Sequence, residues 1–255
     1  MAENTILELK EVTKRFGGVT AIDAVSFEVL DTETISIIGP NGAGKTTLFN
    51  LITGLLSPDS GQIRYRDENI QGYPTERRVD MGIGRSFQIT NVFPEFTVFD
   101  NVHIAVQTNG GHNRDFLSRY DEVGDSNERT TEILESIGLV DKRDTTAKQL
   151  SYGDKRILEL GITLGLDPEL LLLDEPTAGM SHEEADKALS IIESLGESRT
   201  ILFIEHNMEA VLDISDRILV LDQGERVTYA NPENVQNNPH VKRIYMGETR
   251  DNGIA

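Results

Sequence analysis

The spacing of apolar residues changes along the chain and predicts three kinds of segment. In residues 6–16 and 21–30, apolar and polar residues alternate, which is typical of strands with one buried face. Residues 61–67 continue this pattern, so we expect an antiparallel β lobe. From residue 98 to residue 166 the apolar positions follow the 3.6-residue period of helices, and the polar residues 107–115 interrupt it.

After residue 166 the pattern changes to apolar strands that alternate with helices. Continuous apolar runs at 169–175, 199–206 and 216–225 predict strands, and amphipathic stretches at 182–196 and 207–215 predict helices between them. Helices between such strands indicate parallel pairing with both faces covered. The predicted fold class is α/β, with a nucleotide-binding core, an antiparallel β lobe and an inserted α-helical lobe.

The stretch SIIGPNGAGKTTLFN, residues 36–50, passes from a strand through a glycine-rich loop into a helix. It matches the pattern G-x-x-x-x-G-K-[ST], in which backbone N–H groups surround the phosphates of a nucleotide. Lys45 can reach the β- and γ-phosphates, and the Thr46 hydroxyl suits Mg²⁺. A plain strand-to-helix turn is the alternative. The candidate ATP-binding residues here are Gly39, Asn41, Gly42, Gly44, Lys45, Thr46 and Thr47.

Polar residues at strand ends supply the remaining chemistry of a phosphate-hydrolysing site. Asp174 and Glu175 end a buried strand, where Asp174 could hold Mg²⁺ and Glu175 could orient or deprotonate the attacking water. His206 ends another strand and has the reach to hydrogen-bond a γ-phosphate. Gln88 closes a short strand and could join the Mg²⁺ and water shell. The alternatives are two solvated acids and a structural histidine.

A second helix start suited to phosphate lies at LSYGD, residues 150–154, where Ser151 is a natural N-cap and Gly153 leaves the first turn bare. An ordinary capped helix is the alternative. With this stretch the chain resembles the ATP-binding cassette (ABC) family, whose members carry in order a phosphate loop, a glutamine, a short signature, an Asp-Glu strand end and a switch histidine. The matching stretches are GPNGAGKT, Gln88, LSYGD, LLLLDEP and His206, and the resemblance covers nearly all of residues 5–247.

The resemblance implies a P-loop ABC ATPase that works as a head-to-tail pair of cassettes. ATP would lie between the phosphate loop of one cassette and Ser151 and Gly153 of the other. Phe16 falls where the family stacks an aromatic ring on adenine, and a core position is the alternative. The chain is then a single ABC ATPase domain, with a core and β lobe at about 1–90 and 160–230, a helical lobe at about 91–159 and a C-terminal tail at about 231–255.

Three residues depart from the usual family pattern. Tyr152 and Asp154 stand where the signature commonly has glycine and glutamine, and Asp154 adds a negative charge near phosphate. Members of the amino-acid importer branch also carry an aromatic residue at the position of Tyr152. Ser181 stands where the family often has aspartate, at a place linked to signalling between cassettes.

The signature, the segment around Gln88 and residues 205–225 look like ATP-binding subunits of branched-chain amino-acid importers. Importers of urea, amides or other amino acids, a soluble ABC ATPase and a regulator without turnover are the alternatives. Phe93, Phe96 and Phe99 follow Gln88 closely and could meet a membrane subunit; buried aromatics are the alternative. The resemblance implies ATP and Mg²⁺, a second cassette, transmembrane permease subunits, an indirect solute-binding protein and a peripheral place on the cytoplasmic face of the membrane.

The composition narrows these alternatives. The chain has 43 acidic and 24 basic residues, a net charge of −19, which argues against nucleic acid as a partner. It has no cysteine, so disulfides and thiolate metal sites are excluded. We expect neither a membrane-spanning run nor a secretory signal. Adaptation to high salt is one hypothesis for the acidic surface, an unspecific acidic coat is the other, and an ATPase assay from dilute to molar KCl distinguishes them.

Overall fold

The structure, a computed structural model, describes residues 4–86, 92–109 and 119–246. The chain forms two compact units, Met1–Thr75 with Leu202–Ala255, and Glu76–Ile201. The lobe boundaries expected from the sequence stay a prediction. The elements are β1 (Thr5–Phe16), β2 (Val19–Leu30), β3 (Thr34–Ile38), α1 (Lys45–Thr53), β4 (Ser60–Tyr65), β5 (Glu68–Asn69), α2 (Thr75–Asp80), β6 (Ile83–Ser86), α3 (Val98–Asn109), α4 (Arg119–Ser136), α5 (Tyr152–Gly165), β7 (Leu170–Asp174), α6 (His182–Gly196), β8 (Thr200–Ile204), α7 (Met208–Ile214), β9 (Arg217–Asp222), β10 (Glu225–Ala230), α8 (Pro232–Asn237) and α9 (Pro239–Met246).

An antiparallel sheet in the first unit has the strand order β2-β1-β4-β5. Leu7 of β1 pairs with Val29 of β2 on one side and with Tyr65 of β4 on the other. These three side chains are buried, whereas charged residues alternate with them along β1. The predicted antiparallel strands are therefore confirmed. The two-residue strand β5 was not expected from the sequence.

The first unit also contains the strand order β10-β9-β3-β8. β3 and β9 are parallel, with Ile37 opposite Leu219, and β10 returns antiparallel to β9. The predicted strand 216–225 is too long, because the chain turns at Gln223 and Gly224, which both adopt positive φ angles. Every residue of β3 is buried, and the phosphate loop follows directly from its end.

The second unit pairs β6 and β7 in parallel and packs helices around them. All five residues of β7 are buried. Glycines let α5 approach its neighbours, since a Cβ at Gly161 would lie 2.5 Å from the side chain of Ile137 and one at Gly165 would lie 2.8 Å from Ala105. The predicted helical region contains α3, α4 and α5, and its polar break lies largely outside the described residues.

The structure adds two short helices after β10 that the sequence pattern did not predict. Asn231 caps α8 by accepting a hydrogen bond from the amide of Asn234, and Pro232 occupies its first turn. α9 follows almost at once. In the part of the chain that the structure describes, no helix has the length and apolar character needed to cross a bilayer.

Candidate functional site

The phosphate loop ends in a helix start whose amides have no capping side chain. α1 begins after Gly44, which has a φ of +103°, and among the described residues no side chain caps the helix. A Cβ at Gly44 would lie 2.5 Å from the carbonyl oxygen of Ala21, and one at Gly39 would lie 2.2 Å from that of Leu221. Only glycine fits these close approaches. The first turn also lacks acidic residues, so its partial positive charge suits an anion.

Lys45 folds back over the loop that precedes it. Its Nζ donates hydrogen bonds to the carbonyl oxygens of Gly39, at 2.7 Å, and Pro40, at 3.1 Å. The side chain is only 7% exposed, so the ammonium group lies against the loop backbone. Thr46 is exposed and Thr47 half-buried at the start of α1, and Asn41 and Gly42 are exposed at the tip of the loop.

Two further predicted residues of the first unit lie at the surface. Phe16, at the end of β1, is 47% exposed, which excludes the alternative of a core position, and the Nζ of Lys14 lies 5.6 Å from its ring. His206 is exposed just beyond β8, and its backbone N–H donates to the buried carboxylate of Glu205 at 2.8 Å. Both side chains therefore have the exposure that a ligand contact requires.

In the second unit, a buried arginine holds the carboxylate of Asp174. Asp174 ends β7 and is 2% exposed, and its Oδ2 accepts a hydrogen bond from Nη2 of Arg85 at 2.7 Å. Arg85 comes from the neighbouring strand β6, where it pairs in register with Leu172. The side chain of Arg85 is itself 9% exposed. Asp174 is thus a buried carboxylate paired with Arg85, which excludes the alternative of a solvated acid for this residue.

Glu175 adopts a backbone conformation that residues with a side chain rarely use. Its φ is +50°, and its side chain is half-buried directly after β7. Its carbonyl oxygen accepts hydrogen bonds from Nη2 of Arg156, at 2.9 Å, and from the amide of Ala178, at 3.1 Å. The turn therefore redirects the chain at Glu175, and two donors hold it there.

The signature helix α5 is capped by its own side chains. Ser151 accepts a hydrogen bond from the amide of Asp154 at 3.1 Å, as the sequence predicted. The Ser151 hydroxyl also donates to Oε1 of Glu184 at 3.2 Å. Gly153 is buried against the same carboxylate, since a Cβ on it would lie 2.6 Å from Glu184. Hydrogen bonds from the Ser181 amide and hydroxyl, from Ser151 and from the Gly153 amide lower the pKa of Glu184.

The three residues that depart from the family pattern, Tyr152, Asp154 and Ser181, contact other residues of the second unit. Lys142 forms an ion pair with Asp154, which compensates the negative charge in the first turn of α5. Tyr152 is 49% exposed and packs beside Gly179. Ser181 caps α6 and forms a capping box with Glu184.

The residues present suit Mg²⁺ rather than a metal that needs a protein cage. In the described ranges no three His, Cys, Asp or Glu residues cluster as metal ligands. The candidate donors, the Thr46 hydroxyl and the Asp174 carboxylate, are hard oxygen ligands, and Mg²⁺ typically takes one or two of these together with phosphate oxygens and water. Each of these two oxygen donors has, by itself, the chemistry that Mg²⁺ prefers. The third predicted ligand, Gln88, lies outside the described residues.

Sequence reasoning missed three charged side chains that contact the predicted site residues. The sequence pattern predicted no role for Arg85, Arg156 or Glu184, although each contacts a predicted site residue. One signal was available for Arg85 and Arg156, because each is a charged residue at an apolar position of its strand or helix. Their partners, however, lie 89 and 19 residues away in the chain and could not be read from spacing.

Comparison with known proteins decides the family. The model of the ABC transporter family matches residues 22–178. The chain belongs to the ABC transporter family. Similar proteins include the high-affinity branched-chain amino acid transport ATP-binding protein LivG of Escherichia coli K12, with 39% identity over 95% of this chain and 98% of LivG. BraF of Pseudomonas aeruginosa, described in the same words, has 36% identity over 95% of this chain and 98% of BraF.

Solved structures agree with this membership. A crystal structure of an ATP-binding cassette of an ABC transporter in its ADP conformation has 30% identity and a TM-score of 0.82, and it covers 96% of this chain and 99% of that one. A nucleotide-free ATP-binding cassette has 29% identity and a TM-score of 0.81, over 96% and 100%. The predicted fold class is confirmed, and the chain is an ATPase of the ABC type.

Proposed function

We propose that the chain is the ATP-hydrolysing subunit of an importer for branched-chain amino acids. The observation that carries the proposal is the 39% identity to LivG over nearly the full length of both chains. The lipopolysaccharide export ATP-binding protein LptB of Escherichia coli K12 has 32% identity, which is lower than that of LivG. In this proposal the chain is bound peripherally at the cytoplasmic face of the membrane, beside permease subunits that receive solute from a binding protein.

We assign the steps of ATP hydrolysis to the residues of the motifs that match the family. The amides after Gly39 and the Nζ of Lys45 bind the β- and γ-phosphates, and Phe16 stacks on adenine. Glu175 orients or deprotonates the attacking water, and His206 hydrogen-bonds the γ-phosphate. When bound, Mg²⁺ neutralises phosphate charge, and Thr46, Asp174 and Gln88 are its candidate ligands. Ser151 and Gly153 bind the γ-phosphate held by a second cassette, which is the same chain or a paralogue.

Two exposed phenylalanines support a contact with a membrane subunit. Phe93 and Phe96 are 52% and 44% exposed, and their ring centroids lie 5.4 Å apart. Asn101, which is 1% exposed, fixes the turn that carries them, since its Oδ1 accepts from the Phe93 amide and its Nδ2 donates to the Phe93 carbonyl. The alternative of buried aromatics is wrong for these two rings. Phe99 is half-buried and stacks on His103.

The substrate class can be tested by uptake of labelled solutes. Deletion of the gene should abolish high-affinity uptake of leucine, isoleucine and valine and spare uptake of urea, and the intact gene should restore it. Loss of urea uptake with normal leucine uptake would replace the proposal by the urea or amide importer. Loss of neither would favour an ATPase that is not coupled to these solutes.

The role of Glu175 can be tested by Glu175→Gln. Because the amide cannot accept a proton from water, we expect turnover to fall at least about 10²-fold, roughly 2.7 kcal/mol of barrier, while ATP binding persists. Steady-state hydrolysis and nucleotide binding, measured on the same preparation, check this. Glu183→Gln removes an exposed charge elsewhere and should leave turnover unchanged. Normal turnover of Glu175→Gln would remove Glu175 from its role.

The docking surface can be tested by Phe93→Ser combined with Phe96→Ser. Because both rings are exposed, the chain should remain folded and keep its own ATPase activity. Transport in the assembled complex should be lost. Intact transport would exclude these rings from the contact with the permease.

A further inference from the structure

The signature helix carries a buried ion pair one turn beyond its capped start. Arg156 and Glu159 lie on the inner face of α5, with side chains only 5% and 7% exposed, and Nη1 of Arg156 lies 3.2 Å from Oε2 of Glu159. A buried charge pair is costly to desolvate and is weak support for stability by itself. Its position therefore needs a reason other than stability alone.

The second arm of the Arg156 guanidinium points at the turn after β7. Nη2 donates to the carbonyl oxygen of Glu175 at 2.9 Å, while Nη1 is bound to Glu159. A guanidinium is planar, so its two arms have a fixed relation to each other. Glu159 thus sets the direction in which Arg156 presents its donor to the backbone of Glu175.

The residue that receives this hydrogen bond is one of the non-glycine residues whose backbone adopts a positive φ. Glu175 has a φ of +50°, a conformation that residues with a side chain adopt only when the surroundings enforce it. Rotation of this backbone would change the direction of the carboxylate. A donor on the carbonyl oxygen therefore acts on the orientation of the side chain without touching it.

We propose that Arg156 is a positioning residue for Glu175, which it holds in the left-handed turn from the same helix that begins at Ser151 and Gly153. The proposal rests on the role assigned to Glu175 above. The proposal connects the start of α5 with Glu175 in the same chain. A shift of α5 would move the guanidinium of Arg156 and thereby the hydrogen bond that holds the backbone of Glu175. In this proposal Arg156 acts through the backbone of Glu175 and not on the reacting atoms.

The test replaces the ion pair by apolar side chains of similar length, Arg156→Met with Glu159→Leu. Such replacements of buried pairs are often neutral for stability, and a cavity of about 20 Å³ that adjoins both residues gives room for repacking. We expect the melting temperature to be retained and kcat to fall about 10-fold to 100-fold, with KM and nucleotide affinity within twofold of the parent. Glu159→Gln, which keeps Arg156, should retain most of kcat.

A second comparison separates positioning from general damage. In a Glu175→Gln background, the Met and Leu replacements should cause no further loss of rate, because the carboxylate that they misplace is already gone.

In a chain that keeps Glu175, Arg156→Lys retains the charge but has a single donor nitrogen. Its kcat should therefore lie between that of the double variant and that of the parent. If the double replacement fails to fold, the effect of Arg156→Lys on kcat against KM decides instead.

Each outcome distinguishes this inference from the proposed function. A folded double variant with parental kcat, or Arg156→Lys with parental kcat, would overturn the role of Arg156. A further rate loss in the Glu175→Gln background would show damage that does not pass through Glu175. Should Glu175→Gln itself retain turnover, the proposed function of Glu175 fails first, whatever Arg156 does.

Discussion

The starts of α1 and α5 both present amides at a helix N-terminus, but they treat these amides in opposite ways. Gly44 begins α1 in a left-handed conformation, with no acidic residue in the first turn. Ser151 begins α5 in an extended conformation, with its own hydroxyl on the amide of Asp154 and the Glu184 carboxylate beside Gly153. The start of α1 is therefore suited to a bound anion, whereas the carboxylate of Glu184 already lies at the start of α5.

This difference indicates that the two helix starts have different roles in nucleotide binding. A helix start without side-chain caps leaves backbone donors whose natural partners are water or a phosphate. A helix start with a full set of caps is stable without ligand, so any phosphate must compete with Ser151 and Glu184. We expect the α1 loop to bind nucleotide in one isolated chain, and the α5 start to contribute only when a second cassette is present.

The largest effect should come from Lys45→Ala. Because this change removes a charged donor from the phosphates, we expect nucleotide affinity of the isolated chain to fall about 10-fold to 100-fold, as for a lost hydrogen bond to a charged group. Titration with a fluorescent ATP analogue checks this. Ser151→Ala is the matched control and should leave that affinity within about twofold. Equal losses of nucleotide affinity in the two variants would contradict the proposed difference between the starts of α1 and α5.

A smaller effect should come from Ser151→Ala on stability. The change removes the N-cap of α5, which typically costs about 1 kcal/mol, and denaturant unfolding measures it. Ser151→Thr keeps a hydroxyl that can accept from the Asp154 amide and donate to Glu184, and it should retain most of the parental stability. A stability unchanged by Ser151→Ala would mean that Glu184 alone suffices as cap.

The smallest effect should be the pH dependence caused by Glu184. Hydrogen bonds from Ser181, Ser151 and Gly153 lower the pKa of Glu184 below its ordinary 4.5, so the carboxylate stabilises the folded chain above about pH 4.5. This contribution disappears as the pH falls through the pKa of the folded state. The difference in melting temperature between the parent and Glu184→Gln should shrink on acidification. A constant difference for Glu184→Gln would contradict this linkage.

Local patterns predicted much of the fold because they report on nearby residues. The α6 prediction at residues 182–196 agrees with the structure at both ends, since Ser181 caps the helix and Glu184 completes its capping box within one turn. The hairpin of β9 and β10 was missed because the apolar pattern continues to the turn at Gln223 and Gly224. The helices after residue 231 were missed because they are short and largely polar.

The phosphate loop, the acids at the end of β7 and the start of α5 could be located from the sequence by itself, because each consists of consecutive residues with a recognisable pattern. Only the tertiary structure decided that Arg85 pairs with Asp174, that Arg156 holds the backbone of Glu175 and that Glu184 lies against Ser151. The physical reason is that a charged side chain has many possible partners in an acidic chain. Burial and the packing of strands and helices select one of them.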